Sequence, residues 1–216
     1  MGRSNSPHTL SDGVTWEVLQ PWEPNYISPC LLALPNGGML LLISQQTTGS
    51  MGGYFHRGRV KNADGSWGEW TDISDVQGGA ITAALHNGEI WIAFTGWASP
   101  RLCHYGRLPI NGDVIGTWDE HTVEWDTSLP RLVSHADSEQ LLIVGGWNET
   151  AFIFCIDDEE MTTLDISGTD NWGNDAPRSV PSGNIVPVVF SHDVNYISSS
   201  EGEGNGQLGA IEWSPE

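Results

Sequence analysis

Two tryptophans follow apolar strands in the same way, in Phe94-Thr-Gly-Trp97 and Val144-Gly-Gly-Trp147. Trp22, Trp125 and Trp172 stand between apolar runs, and Arg101, Arg131 and Arg178 occupy comparable connecting positions. A flat indole covers the apolar face of a sugar ring, and a guanidinium grips a carboxylate through two parallel N–H bonds. These eight residues form the candidate ligand- or partner-contacting set. Contacts between proteins draw on the same residue types. The competing use is structural, as bulky fillers between adjacent sheets, the role expected of Trp16, Trp67 and Trp118.

Other chemistry is less well supported. His86, His135 and His192 each sit at the turn of an apolar hairpin, where a solvated imidazole is the simpler expectation than a metal ligand. Cys30, Cys103 and Cys155 lack metal-type spacing and lie in apolar contexts, so they are expected as buried free thiols. No cofactor is expected; an ion in a central channel is conceivable but no residue pattern assigns it. Paired carboxylates for glycoside hydrolysis cannot be singled out among 28 acidic residues.

The charge balance is extreme: 28 acidic residues against 8 basic in 216, a formal net charge of −20, with Lys61 the single lysine. Such acidity can mark a disordered chain, but eleven tryptophans and several β-branched runs supply apolar surface to bury. The composition resembles that of proteins from extreme halophiles, where molar salt screens self-repulsion within ~3 Å. Nucleic acid is not an expected partner, since no basic stripe is evident. No secretory leader is recognised after Met1, and the longest apolar run, Met39 to Ile43, is too short to span a bilayer.

The elements that must position these residues recur. Four segments read as apolar strand, tight turn, apolar strand, with turns at Pro35, His86, His135 and His192, roughly 50 residues apart. Pro35-Asn-Gly and His86-Asn-Gly are hairpin signals. A third strand follows each hairpin, and Tyr54–Val60 and Leu102–Leu108 align on His-x-Gly-Arg. A fourth strand with a tryptophan near its start follows in the first two units, and 161–166 fills that place in the third. The fourth unit lacks one, and Gly13-Val-Thr-Trp-Glu-Val18 has the missing form. The pattern predicts an all-β chain: a four-bladed β-propeller closed by its N-terminal strand, with five blades as the alternative. The single domain spans 1–216, with blades at about 26–75, 79–125, 128–167 and 184–214, the last completed by 13–20.

Asp12-Gly-Val-Thr-Trp16, Asp64-Gly-Ser-Trp-Gly-Glu-Trp70 and Asp113-Val-Ile-Gly-Thr-Trp118 resemble degenerate copies of the sialidase Asp-box. Short propellers of this kind are similar to domains on tail fibres and capsid decorations of tailed viruses. With the halophilic composition, the resemblance implies a non-enzymatic protein at the surface of a haloarchaeal virus particle. The partners then expected are a host surface glycan or surface-layer glycoprotein, other virion proteins and further copies of the chain, without nucleic acid or membrane. The alternative is a sialidase-like glycan-processing enzyme, for which Arg101, Arg131 and Arg178 supply an arginine trio but no tyrosine–glutamate pair stands out.

Overall fold

The computed structural model describes residues 8–9, 15–16, 26–46, 54–124, 130–134, 140–147, 150–165, 178–179, 186–193 and 206–213. All of its regular structure is β. The first two strands are short, β1 (His8–Thr9) and β2 (Thr15–Trp16). Sheet one follows, with β3 (Tyr26–Ala33), β4 (Met39–Gln46), β5 (Tyr54–Lys61) and β6 (Thr71–Gly78) in sequence order. Sheet two contains β7 (Thr82–His86), β8 (Glu89–Thr95), β9 (Leu102–Arg107) and β12 (Asp119–Glu124), with a separate two-stranded hairpin of β10 (Ile110–Asn111) and β11 (Val114–Ile115) in the connection from β9 to β12. Sheet three is β13 (Arg131–Ser134), β14 (Leu141–Trp147), β15 (Thr150–Cys155) and β16 (Glu160–Asp165). A three-stranded sheet of β17 (Arg178–Ser179), β18 (Val186–Asp193) and β19 (Gly206–Trp213) ends the series. Every pairing is antiparallel, and among the described residues no sheet closes on itself.

Turn chemistry sets the hairpins. Asn87 and Gly88 have φ of 49° and 79°, the pair of positive values that a two-residue type I′ turn requires, and His86 pairs with Glu89 across it. Gly37 at φ 82° turns the chain between β3 and β4.

The inner strand β8 of sheet two is buried on both faces, which is why it reads as a near-continuous apolar run. Ile90, Ile92 and Phe94 of β8 point one way, joining Leu40, Leu42, Val60 and Ile73 of sheet one in a single cluster with Trp118. Ala93, Cys103 and Tyr105 point the other way, onto Ile143 and Phe154 of sheet three. Full burial of a side chain such as Phe94 contributes about 1.5–3 kcal/mol. Sheets one, two and three therefore pack face to face.

Two strand assignments differ from expectation. Thr15–Trp16 pairs with His8–Thr9, in the register His8↔Trp16, and no described pairing joins it to the last sheet. A local hairpin closes a far shorter loop than a pairing between the chain ends does, and so costs less entropy. In the last sheet, β18 occupies the second position, and the first is taken by Arg178–Ser179. His192 consequently lies within a strand, opposite Gln207, and not at a turn.

Candidate functional site

The first strands of the sheets converge. β7 packs between β3 and β13, and β13 also touches β17. The Cys30 thiol of β3 lies against the Ala83 backbone of β7 and within electrostatic reach of Arg131 on β13. Burial pushes its pKa up, opposed by the Ala83 hydrogen bond and the Arg131 charge.

Arg131 opens β13 opposite Val144, and Arg178 opens β17 opposite Val189. Two neighbouring first strands thus begin on an arginine, paired to equivalent valines in their second strands. Arg131 is half-buried. Trp97 follows β8 and is 47% exposed, its backbone N–H donating to the Gln77 carbonyl at 3.0 Å. Arg101 is exposed immediately before β9, not on a first strand. Trp147 ends β14 opposite Thr150. Trp22, Trp125 and Trp172 lie outside the described residues.

A groove of about 430 Å³ opens beside the Asn87-Gly88 turn, lined among others by Glu89, Arg107, Pro109, Thr117 and Asp119. Arg107 sits between the two carboxylates, with Nη2 2.9 Å from Asp119 Oδ2 and Nη1 3.5 Å from Glu89 Oε1. The Arg107 hydrogen bond holds the Asp119 carboxyl below its usual range. A carboxylate gripped by a guanidinium is a poor proton donor, which counts against Asp119 as a general acid.

The His-x-Gly-Arg repeat has a shared geometry. Its histidines, His56 and His104, enter the core on either side of Phe94, with ring centroids 4.0 and 5.0 Å away. His56 Nε2 donates to the Gly79 carbonyl at 2.8 Å, and His104 Nδ1 donates to Glu120 Oε1 at 2.6 Å. Gly106 is required by close approach, because a Cβ there would overlap the Asp119 carbonyl oxygen. The arginines point to the opposite face, each over a tryptophan.

That opposite face is most developed on β5. Alternation along the strand puts Arg57, Arg59 and Lys61 on one side. The Arg59 guanidinium lies 4.1 Å from the Trp67 ring centroid and 4.7 Å from that of Trp70. Lys61 Nζ is 5.5 Å from Trp67, and the Arg57 guanidinium is 5.7 Å from Trp70. Arg57 Nε also contacts Asp72 Oδ1 at 2.7 Å. Trp67 is therefore a half-buried partner of cations and not an inter-sheet filler, whereas Trp118 is buried in the core as expected. The spacing Arg57-x-Arg59-x-Lys61 carries this signal, although the tryptophans that complete it come from the next connection.

His86 does not sit solvated at its turn. It is 5% exposed, and its Nδ1 donates to Ser134 Oγ of β13 at 2.9 Å while Nε2 accepts from the Asn87 amide at 3.1 Å. It ties one first strand to the next. Among the described residues no three histidine, cysteine, aspartate or glutamate side chains converge to hold a metal ion.

No protein-family model and no curated protein matches the sequence. Solved structures do. A xylan β-1,4-xylosidase from Bacillus halodurans superposes with a TM-score of 0.50 at 13% identity, over 87% of this chain and 40% of that one. The fold is β-propeller-like. A GH43 protein from Bacillus licheniformis gives 0.49 at 9% identity over 78% and 38%, and an α-L-arabinofuranosidase from Clostridium thermocellum gives 0.43 at 12% over 86% and 68%. The chain spans about two fifths of the length of the first two.

The expectation of a non-enzymatic virion protein is corrected by this finding, since the structure that shares the fold at a TM-score of 0.50 is a xylosidase. The physical reason is that acidic composition reports on solubility and association, not on fold or chemistry. The expectation of a halophilic virus rests on that composition together with the resemblance to virion propellers, whereas the backbone architecture is held in common with a xylosidase.

Proposed function

We propose that the chain is the propeller region of a glycan-processing enzyme, with four blades corresponding to the four successive sheets. The substrate is taken at the end of the molecule where the first strands begin. The observation that carries this reading is the matched placement of Arg131 and Arg178, each the first residue of a first strand and opposite a valine of the second. In a propeller the first strands line the axis, so residues that open neighbouring first strands stand at a common end of it. Their five-donor guanidinium groups suit sugar hydroxyls and carboxylates. Trp97, exposed beside the β8 end, provides an apolar surface for a ring. Trp22, Trp125, Trp147, Trp172 and Arg101 complete the proposed face. Hydrolysis itself requires a pair of carboxylates, and Asp119, held by Arg107, is unsuited to proton donation.

The test is release of reducing ends from a panel of oligosaccharides and polysaccharides by the purified protein. Wild type is expected to act on at least one substrate, and Arg131→Gln to lower kcat/KM about tenfold or more while melting changes little. Absence of turnover and of binding across the panel would overturn the reading, as would an unaffected Arg131→Gln.

A further inference from the structure

The histidine of the first His-x-Gly-Arg copy acts outside its own strand. Gly79 lies in the connection between β6 and β7, and its carbonyl oxygen accepts from His56 Nε2 at 2.8 Å. The Ser44 hydroxyl makes a longer contact to the same oxygen, at 3.4 Å. Both side chains are fully buried. A buried carbonyl left without a donor is destabilising, so these bonds fix how the connection lies.

From Gly79 a run of backbone contacts leads to Trp97. The Gly79 N–H donates to the Thr95 carbonyl at 2.8 Å, and the Trp97 N–H donates to the Gln77 carbonyl at 3.0 Å. Between them Gly78 and Gly96 form an isolated antiparallel bridge. Segments 77–79 and 95–97 are thus tied at three successive positions. Only glycine permits this approach: a Cβ on Gly78 would stand 2.6 Å from the Thr95 carbonyl oxygen, and one on Gly96 2.7 Å from His104 Nε2. The His56 ring packs 4.0 Å from Phe94, a contact that a phenyl ring would also make. Its Nδ1 is buried with no partner among the described residues. Such an imidazole is a poorer core filler than a hydrocarbon of the same shape, and the Gly79 bond is what its polarity supplies.

We propose that His56 is a positioning residue: through Gly79 and the tied segments 77–79 and 95–97 it sets where Trp97 stands on the proposed face. That Trp97 meets a sugar rests on the glycan-processing reading; that His56 places it rests on the hydrogen bonds alone. A buried side chain of sheet one thereby holds a surface side chain of sheet two.

Amide hydrogen exchange in the whole chain, resolved residue by residue by nuclear magnetic resonance, tests the placing. His56→Phe keeps the packing on Phe94 and removes the donor. The Gly79 and Trp97 amides are expected to exchange about tenfold faster, while the amides of β4 and β8 keep their wild-type rates. His56→Gln retains a side-chain N–H donor and should return both amides to wild-type protection. Ser44→Ala removes the longer contact, should accelerate the same two amides by a smaller factor, and carries the test if His56→Phe does not fold. Faster exchange throughout sheets one and two would make His56 a general core residue and overturn the proposal. Unchanged exchange at Trp97 would overturn it too, as would absent rescue by His56→Gln. On a panel oligosaccharide that wild type hydrolyses, His56→Phe should raise KM about tenfold and leave kcat nearly unchanged, the mark of a displaced binding surface. An unchanged KM overturns the proposal. If wild type hydrolyses and binds none of the panel, the proposed function falls, and the exchange rates still decide whether His56 places Trp97.

Discussion

The imidazole of His56 lies 4.0 Å from the ring of Phe94, centroid to centroid, across the boundary between sheets one and two. Both side chains are fully buried, and the His56 Nε2 bond to the Gly79 carbonyl fixes the ring in place. The pairing makes the interface sensitive to acid. Burial, the largest cause, lowers the His56 pKa from 6.5 to about 4, with His104 adding to the effect and the Gly79 bond opposing it. The unfolded chain therefore takes up this proton first as pH falls. The contribution of His56 is complete above about pH 6.5 and is lost progressively toward pH 4, a change on the order of 3 kcal/mol. Urea midpoints at pH 7 and pH 4.5 should separate strongly for wild type and less for His56→Phe. Identical pH slopes for the two proteins would refute the assignment.

The repeated glycines should differ in tolerance. A Cβ at Gly106 meets rigid backbone at Asp119, whereas at Gly58 the nearest atom is the Leu42 Cδ2 methyl, 2.8 Å away. Gly106→Ala is expected to cost about 3 kcal/mol and Gly58→Ala about 1 kcal/mol, because side chains yield where backbone does not. Thermal melts of the two variants give the comparison, and equal losses would count against it.

Two tryptophans separate core from surface. Trp118 is 8% exposed and 5.8 Å from Phe94, so Trp118→Ala should lower stability by about 3–5 kcal/mol. Trp97→Ala should leave the melt nearly unchanged and weaken sugar binding by about 2 kcal/mol if it acts as a hot spot. Lost stability at Trp97 with unaltered binding would remove it from the proposed face.

Deleting residues 1–20 tests ring closure. If the N-terminal segment covers the outer edge of the last sheet, its removal leaves an unpaired strand, and the protein should aggregate or fail to fold. Unchanged monodispersity and melting would assign that segment no closing role.

Dilution of salt should weaken the fold. With a net charge of −20, lowering ionic strength from 0.1 M to 0.01 M extends screening from ~10 Å to ~30 Å and lets carboxylates across the surface repel. Circular dichroism melts over a salt series should show a rising midpoint with added salt; an unchanged midpoint would refute the role of self-repulsion.

Much of this architecture is legible in the residues because local signals agree with one another. Asn36-Gly37 and Asn87-Gly88 mark two hairpins, and the apolar runs beside them become paired strands. The last sheet was harder to read, since Arg178–Ser179 is too short and too polar to announce a strand. The arginine–tryptophan stack is a matter of register: Arg57, Arg59 and Lys61 lie on one strand, while Trp67 and Trp70 reach them from a turn and the approach to β6. Sequence spacing predicts the alternation but not which side chains arrive on top of it. Acidic composition was the most misleading signal, because it describes the solvent a protein tolerates and is silent on what the fold does.

One thiol lies in each of three successive sheets: Cys30 in β3, Cys103 in β9 and Cys155 in β15. Desolvation pushes all three above the ordinary thiol range, Cys155 to about 11. Since only the thiolate alkylates readily, each is protected while its own sheet stays closed. The chain thus carries a built-in set of timers. Rates of labelling at the three positions, resolved by peptide mass, would report how often each sheet opens and whether neighbouring sheets breathe together or one by one.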